Sequence, residues 1–488
     1  MHAPPWIAMA RRRAGEISFP GKSGQDASRF GTLPPIMFSK SSFLVLVLSA
    51  FTALASAGGT NDTLAQKHAT RGMDGVRHVP HVQRMERLAP RAGPKLRFNY
   101  GQDKVRGVSV GGWLVIENFI TPSIYQSAND NRVIDEWSFA KYVDHDQAVS
   151  TLRDHYDNFV TEKDFEEIAS YGLNHVRVPF PYWGVKTYKG DPYLKVNQYD
   201  KLKEAAGWAK NHNLKMVIEL HTVPGGANPY DHGGHTNHSN WLGNDKYEGR
   251  TLEILQELSS EFSQSKYSAV SAISLVNEPN GDVEKIRNFY QRGYNVVRSP
   301  DNDQSNLLVI IGDSFLNPAQ NDYWHNKMQP PKYQGVAVDT HVYRLFDPSS
   351  IALSQDDRIS YYCSLKGGFQ NANSQLWSMV AEWSPAFTDC APGLNGRFQG
   401  SRYEGSFPGS TRRGSCKNKS GNANNFSDGF KKNLKKNREA QADAYEGGLG
   451  WIMWTWKTEH HNADDWSYRA GVKNGWIPRD PTHRSFSC

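Results

Sequence analysis

The chain has 488 residues, of which 38% are hydrophobic, 12% aromatic and 22% charged, enough apolar material for a large core and too much for wholesale disorder. Its formal charge is +6, but residues 1–94 hold 12 basic and 5 acidic side chains, which leaves residues 95–488 at −1. A nucleic-acid binder carries its basic patch on the folded body, so the charge distribution speaks against that class.

Residues 1–36 form a polar, Pro-rich leader: either translation begins at Met37, which is the expectation, or the chain has a signal anchor with a cytoplasmic tail. Residues 37–57 carry one cation at Lys40, an apolar run from Phe43 to Leu54, and Ala55-Ser56-Ala57. That pattern predicts a secretory signal peptide cleaved after Ala57. The run is shorter than the about 20 apolar residues a membrane span needs, so no span is expected in the mature form. Residues 58–94 show neither helix nor strand period and read as a linker or propeptide.

From Lys95 onward, short β-rich runs alternate with longer helical patterns, which predicts parallel βα units. The expected strands are Val105–Val115, His175–Phe180, Lys215–His221, Ala272–Glu278, Leu307–Asp313, Gly335–Tyr343, Ser378–Trp383 and Gly450–Trp456. Helices are expected over Asp164–Tyr171, Lys201–Asn211, Leu252–Phe262 and Val283–Val297. Eight strands in strict alternation predict an α/β fold, a (β/α)8 TIM barrel over residues 95–488 with enlarged loops on its catalytic face. A doubly wound sheet would want a phosphate fingerprint after its first strand, and Gly107-x-x-x-Gly111-Gly112 does not supply one.

Four cysteines, Cys363, Cys390, Cys416 and Cys488, allow three disulfide connectivities in an oxidising compartment. Cys390–Cys416 is the expected bond across the Gly- and Ser-rich excursion around Arg397–Arg413, which leaves Cys363–Cys488 to tie the tail to the barrel. Sequons at Asn61, Asn237, Asn418 and Asn425 fit the same compartment. No C-x-x-C pair suggests zinc. The His232, His235 and His238 run sits in a Gly-rich loop without the fixed spacing of metal ligands, so neither metal nor cofactor is expected. The lysines around Lys431–Lys436 read as a solvated helix face.

In a TIM barrel the strand C-termini form the active face. Those ends bring together Glu117, Arg177, His221, Asn277-Glu278, His341, Tyr343, Glu382 and Trp456. Two carboxylates at opposite strand ends are what glycosidic cleavage requires, one protonating the leaving oxygen and the other attacking the anomeric carbon. Asn277 is placed to hold a sugar 2-hydroxyl. Arg177 and Tyr343 are placed to keep Glu382 ionised, and Glu278 needs its pKa raised to serve as an acid. Trp456 offers a face for stacking a pyranose.

Arg106-Gly107-Val108, Gly111-Gly112-Trp113-Leu114-Val115 with Glu117, Leu275-Val276-Asn277-Glu278-Pro279, Ala381-Glu382-Trp383-Ser384 and Trp454-Thr455-Trp456-Lys457-Thr458-Glu459 together resemble the fungal exo-β-1,3-glucanases of glycoside hydrolase family 5. The resemblance runs from about residue 95 to the C-terminus. It implies a retaining enzyme with Glu278 as acid/base and Glu382 as nucleophile. It further implies that Glu117, Arg177, His221, Asn277, His341, Tyr343 and Trp456 bind the terminal glucose, with Asp231 touching that sugar. Tyr230 and Phe346 would form an aromatic pair at the cleft mouth. The expected protein is a secreted, cofactor-free monomer, extracellular or in the cell wall, that releases glucose from the non-reducing ends of β-1,3-glucan. Another β-glycanase of the family, such as a β-1,6-glucanase, is the nearest alternative. An inactive glucan-binding wall protein is a further one, although a pure binder has no need of both acids.

Overall fold

The computed structural model describes residues 93–299 and 306–488. The expected leader, the signal segment, residues 58–92 of the linker and the sequon at Asn61 lie outside the described residues. Among the described residues no helix is long and apolar enough to cross a membrane.

Eight parallel strands close into a barrel in chain order: β1 (Val105–Ser109), β2 (His175–Pro181), β3 (Lys215–Thr222), β4 (Val270–Ser274), β5 (Leu308–Gly312), β6 (Val336–Val342), β7 (Trp377–Trp383) and β8 (Gly450–Met453). Closure pairs Val105 with Gly450 and Val108 with Met453. Gly450 is required there: its φ is +127°, and a Cβ would meet the Val105 carbonyl oxygen at 2.0 Å. Strands covered on both faces read as continuous apolar runs, as Met216–Leu220 does apart from Glu219.

Helices cover the outside where side-chain caps start them. Asp282 accepts from the Lys285 backbone N–H and opens the helix Val283–Val297, whose Ile286, Phe289, Tyr290, Tyr294 and Val297 form one buried stripe. Asn244 accepts from Tyr247 in the same way, so the helix Asp245–Ser263 begins seven residues before the apolar stretch that predicts it. Each large apolar side chain so buried contributes about 1.5–3 kcal/mol of transfer free energy.

Three strands end earlier than expected. β1 stops at Ser109, β4 at Ser274 and β8 at Met453. Val110–Val115 and Leu275-Val276 are still buried, but they pack in loops rather than in the ladder. Glu278 therefore stands four residues beyond its strand. The ladder has two irregularities at the active end. Between β6 and β7 the register passes from Thr340↔Val380 to His341↔Glu382, so Ala381 is an extra residue and Glu382 turns to the same side as His341. The freed Ala381 N–H donates to Asp339 Oδ1 at 2.9 Å. Between β2 and β3 the register passes from Phe180↔Leu220 to Pro181↔Thr222, which makes His221 the extra residue.

Both disulfides have the expected pairing. Cys363 bonds Cys488 across 125 residues and Cys390 bonds Cys416 across 26. Inside the smaller loop the Asp389 carboxylate accepts from Ser401 Oγ and from the Arg402 and Tyr403 N–H groups. The tail is held further by Arg484, which donates to Asp443 at 2.8 Å.

Candidate active site

The inner face of the barrel changes character along its axis. At the N-terminal end Val105, Val217, Ala272, Leu308, Ile310, Ala337, Met379 and Ile452 pack into an apolar plug. One step further along the same strands the inward residues become polar: Arg177 on β2, Glu219 and His221 on β3, Asp339 and His341 on β6, and Glu382 on β7.

Arg177 is 1% exposed and organises this layer. Its Nη1 donates to Glu382 Oε1 at 2.7 Å and its Nη2 to Asn277 Oδ1 at 2.9 Å. Glu219 Oε1 lies 3.5 Å from Nη2. Burial alone would lower the guanidinium's pKa, but Glu219, Glu382 and Asp339 outweigh it and raise it. Tyr343 donates its hydroxyl to Glu382 Oε2 at 3.0 Å, so both oxygens of Glu382 accept from fixed donors.

Glu278 is held from three sides. Its φ of +43° is in the left-handed region, a strained conformation for a glutamate, of order 1–3 kcal/mol. The segment is fastened to the loop after β3, with the Asn277 N–H donating to Leu220 O, the Asn280 N–H to Ala227 O, and Asn228 Nδ2 to Glu278 O. His341 Nδ1 lies 2.6 Å from Glu278 Oε1 and 3.6 Å from Glu382 Oε2, between the two acids. Its Nε2 faces Asp339 Oδ2 at 3.3 Å.

This arrangement reverses the expected charge state of the ligand-free acid. Burial would raise the Glu278 carboxyl, but the His341 hydrogen bond and the charges of His341, His232 and His221 hold it below the ordinary range. Burial would lower His341, but Glu382, Asp339 and Glu278 raise it well above its usual value. Proton affinity is thus lowered at Glu278 and raised at His341, across one short hydrogen bond. Glu117 is the group pushed up instead, by burial first and then by Asp231, Glu382 and Glu278. Asp231 is also raised, chiefly by burial.

Among the buried polar atoms of this layer that have no hydrogen-bond partner are Glu117 Oε1, Asn277 Nδ2 and His221 Nε2. Buried polar groups are rarely left so, and a polyhydroxylated ring supplies the donors and acceptors they lack. Glu278, His341 and Glu382 each offer an atom within 4.8 Å of the others, the spacing of a metal site. Arg177 and His341 already stand against those carboxylates, at 2.7 Å from Glu382 and 2.6 Å from Glu278.

Trp456 is not where the sequence pattern puts it. It is fully buried, donates Nε1 to Asp164 at 2.9 Å and packs on Tyr171 and Tyr468, so it has no face to offer a sugar. The tryptophan that faces the polar layer is Trp454, parallel to the His221 ring at 5.9 Å and 5.8 Å from the Arg177 guanidinium. Tyr230 and Phe346 have separate neighbours: Tyr230 rests on His232, and Phe346 on Tyr343 and Trp466. Glu219, Asp339, Trp454 and His232 join the site without having been singled out for it. Strand periodicity carries a signal for the first two, which stand two residues before His221 and His341.

A family model described as Cellulase (glycosyl hydrolase family 5) matches residues 141–459. The chain is 37% identical over 393 residues to the Glucan 1,3-beta-glucosidase of Blumeria graminis, covering 79% of this chain and 89% of that protein. It is 36% identical over 409 residues to the Glucan 1,3-beta-glucosidase of Yarrowia lipolytica, covering 82% and 94%. The rutinosidase from Aspergillus niger has a similar fold, with a TM-score of 0.60 at 19% identity over 78% of this chain and 99% of that one. Matches of this identity and extent, on a closed eight-stranded barrel, show that the chain belongs to glycosyl hydrolase family 5.

Proposed function

We propose that the protein is a secreted retaining β-glucosidase that releases glucose from the non-reducing ends of β-1,3-glucan. The observation that carries this reading is the approach of the two acids. A Glu278 oxygen and a Glu382 oxygen lie within 4.8 Å. Retaining enzymes hold their carboxyl groups about 5–5.5 Å apart, whereas inverting ones leave about 6.5–9.5 Å for a water.

In the first step Glu382 attacks the anomeric carbon, and the bond to the leaving oxygen breaks as Glu278 gives that oxygen a proton. Arg177 and Tyr343 aim the nucleophile. The proton originates in the Glu278–His341 pair, and the ester formed on Glu382 removes one of the charges that raise the proton affinity of His341. In the second step Glu278 takes a proton from water, whose oxygen attacks the same carbon and returns Glu382 as a carboxylate. Asn277 serves the 2-hydroxyl, His221 and Glu117 neighbouring hydroxyls, and Trp454 the floor of the ring. Asp231 stands near Glu117 and would hold a hydroxyl of the terminal sugar. Tyr230 and Phe346 supply apolar faces for the departing chain.

The β-1,3 preference is supported by the two glucan 1,3-beta-glucosidases among its relatives, and secretion by the segment 37–57 and the two disulfides. Incubating purified protein with laminarin (β-1,3) and pustulan (β-1,6) tests the reading. Glucose as the first product from laminarin is expected. Preferential attack on pustulan, or a ladder of oligosaccharides, would overturn the linkage or the exo-action.

A further inference from the structure

Glu278 carries a histidine on each oxygen, and the two contacts are unequal. His341 Nδ1 lies 2.6 Å from Oε1, and His232 Nε2 lies 3.3 Å from Oε2. His341 belongs to β6 and its side chain is 10% exposed, whereas His232 sits in a short turn after β3 with 24% exposed. The turn is built to aim it. Asn228 Oδ1 accepts from the Tyr230 N–H, and Gly234, at φ +88°, returns its N–H to Asp231 O. The His232 ring is then fixed between Tyr230 at 5.3 Å and His221 at 5.5 Å.

A general acid must present one oxygen to the glycosidic oxygen. Oε1 is committed to a short bond deep in the barrel. Oε2 is the oxygen with the looser partner on the more open side. We propose that His232 is a second positioning residue of the acid/base, holding Glu278 Oε2 in the free enzyme and yielding it to the glycosidic oxygen when substrate binds. Its charge then sets the upper pH limit of the acid form. The inference rests on the reading of Glu278 as acid/base.

The other groups facing Glu278 are His221 from β3, Tyr230 from the same loop, Tyr343 beyond β6, Glu382 from β7 and Glu117 beyond β1. His232 is itself faced by Asp231 and Glu278. The His232 imidazole, 3.3 Å from Oε2, favours the ionised Glu278. Removing it lets the Glu278–His341 pair keep its proton to higher pH.

The test is the pH profile of kcat/KM for His232→Gln and His232→Asn, with His238→Gln from the same loop as control and thermal midpoints measured alongside. With laminaribiose, whose leaving sugar needs a proton, the basic limb should move upward by about 0.5–1 pH unit in both His232 variants and stay in place in the control. With 2,4-dinitrophenyl β-glucoside, whose leaving group departs unprotonated, the variants and the wild type should share one profile shape. Three results would overturn the inference: coincident laminaribiose profiles, a uniform loss on both substrates at every pH, or the same shift in the control. Wild-type protein that splits neither substrate would overturn the proposed function and the inference with it. Active wild type with coincident profiles would sink the inference alone.

Discussion

The two ends of the barrel are made from the same strands and obey opposite rules. At the N-terminal end, inward residues such as Met379 and Ile310 are buried at 1% exposure among apolar neighbours. Two residues beyond Ala337, the same strand presents Asp339 and then His341. There five acids, Glu117, Glu219, Glu278, Asp339 and Glu382, share one arginine and a few histidines. The lower end is arranged for packing, and the upper end tolerates crowded charge and orphaned polar atoms. Stability and chemistry are therefore separable by position along one strand.

The largest effect expected from breaking this division is at the acids. Glu382→Gln should lower hydrolysis by more than about 10⁴-fold with every leaving group, beyond the range of general-acid catalysis. Glu278→Gln should cost about 10²–10⁴-fold with a glucan and far less with an activated aryl glucoside. Steady-state rates on laminarin and 2,4-dinitrophenyl β-glucoside separate the two roles.

Staples outside the barrel come next. By loop entropy, losing Cys363–Cys488 should cost about 5 kcal/mol and losing Cys390–Cys416 about 3.5 kcal/mol. Urea unfolding of the paired Cys→Ser variants measures both, and equal costs would show that loop length is not what matters. Within the barrel, Met379→Ala should cost about 2–5 kcal/mol of stability. Its kcat, measured on the folded fraction, should remain that of the wild type.

The smallest effect is the most informative, because its sign reverses between the two ends. Glu117 has its folded pKa raised above the unfolded one, so below the unfolded value it brings no penalty. The penalty grows as pH rises through about 4.5 toward the folded value. Glu117→Gln should accordingly raise the thermal midpoint at pH 7 more than at pH 4, while lowering kcat/KM. Trp454→Ala and Trp456→Phe make a parallel pair: the first should raise KM, and the second should lower stability by removing the bond to Asp164.

The barrel, and the meeting of Glu278 and Glu382 at one end of it, were legible in the sequence because parallel strands read as apolar runs and their polar ends stand out. The helix Val283–Val297 was legible to the residue, since its apolar stripe runs its whole length. Strand ends were not legible where apolar residues continue into buried loops, as at Val110–Val115. That is why Trp456 looked like the site residue. The chain leaves the ladder after Met453, so alternation no longer tells which indole faces the cleft, and Trp454 takes the place. The bulge that turns Glu382 inward leaves no pattern in sequence, because its compensation is a hydrogen bond from Ala381 to Asp339 on another strand. The raised proton affinity of His341 was hidden for a similar reason, since it depends on three carboxylates meeting in space.

The central claim is that Glu278 and Glu382 act as acid/base and nucleophile at a separation that forces retention. Proton NMR of the first sugar released from laminarin, recorded before mutarotation, tests it directly. The account predicts β-glucose. Initial appearance of the α-anomer would mean inversion, and would contradict both the roles and the reading of their spacing.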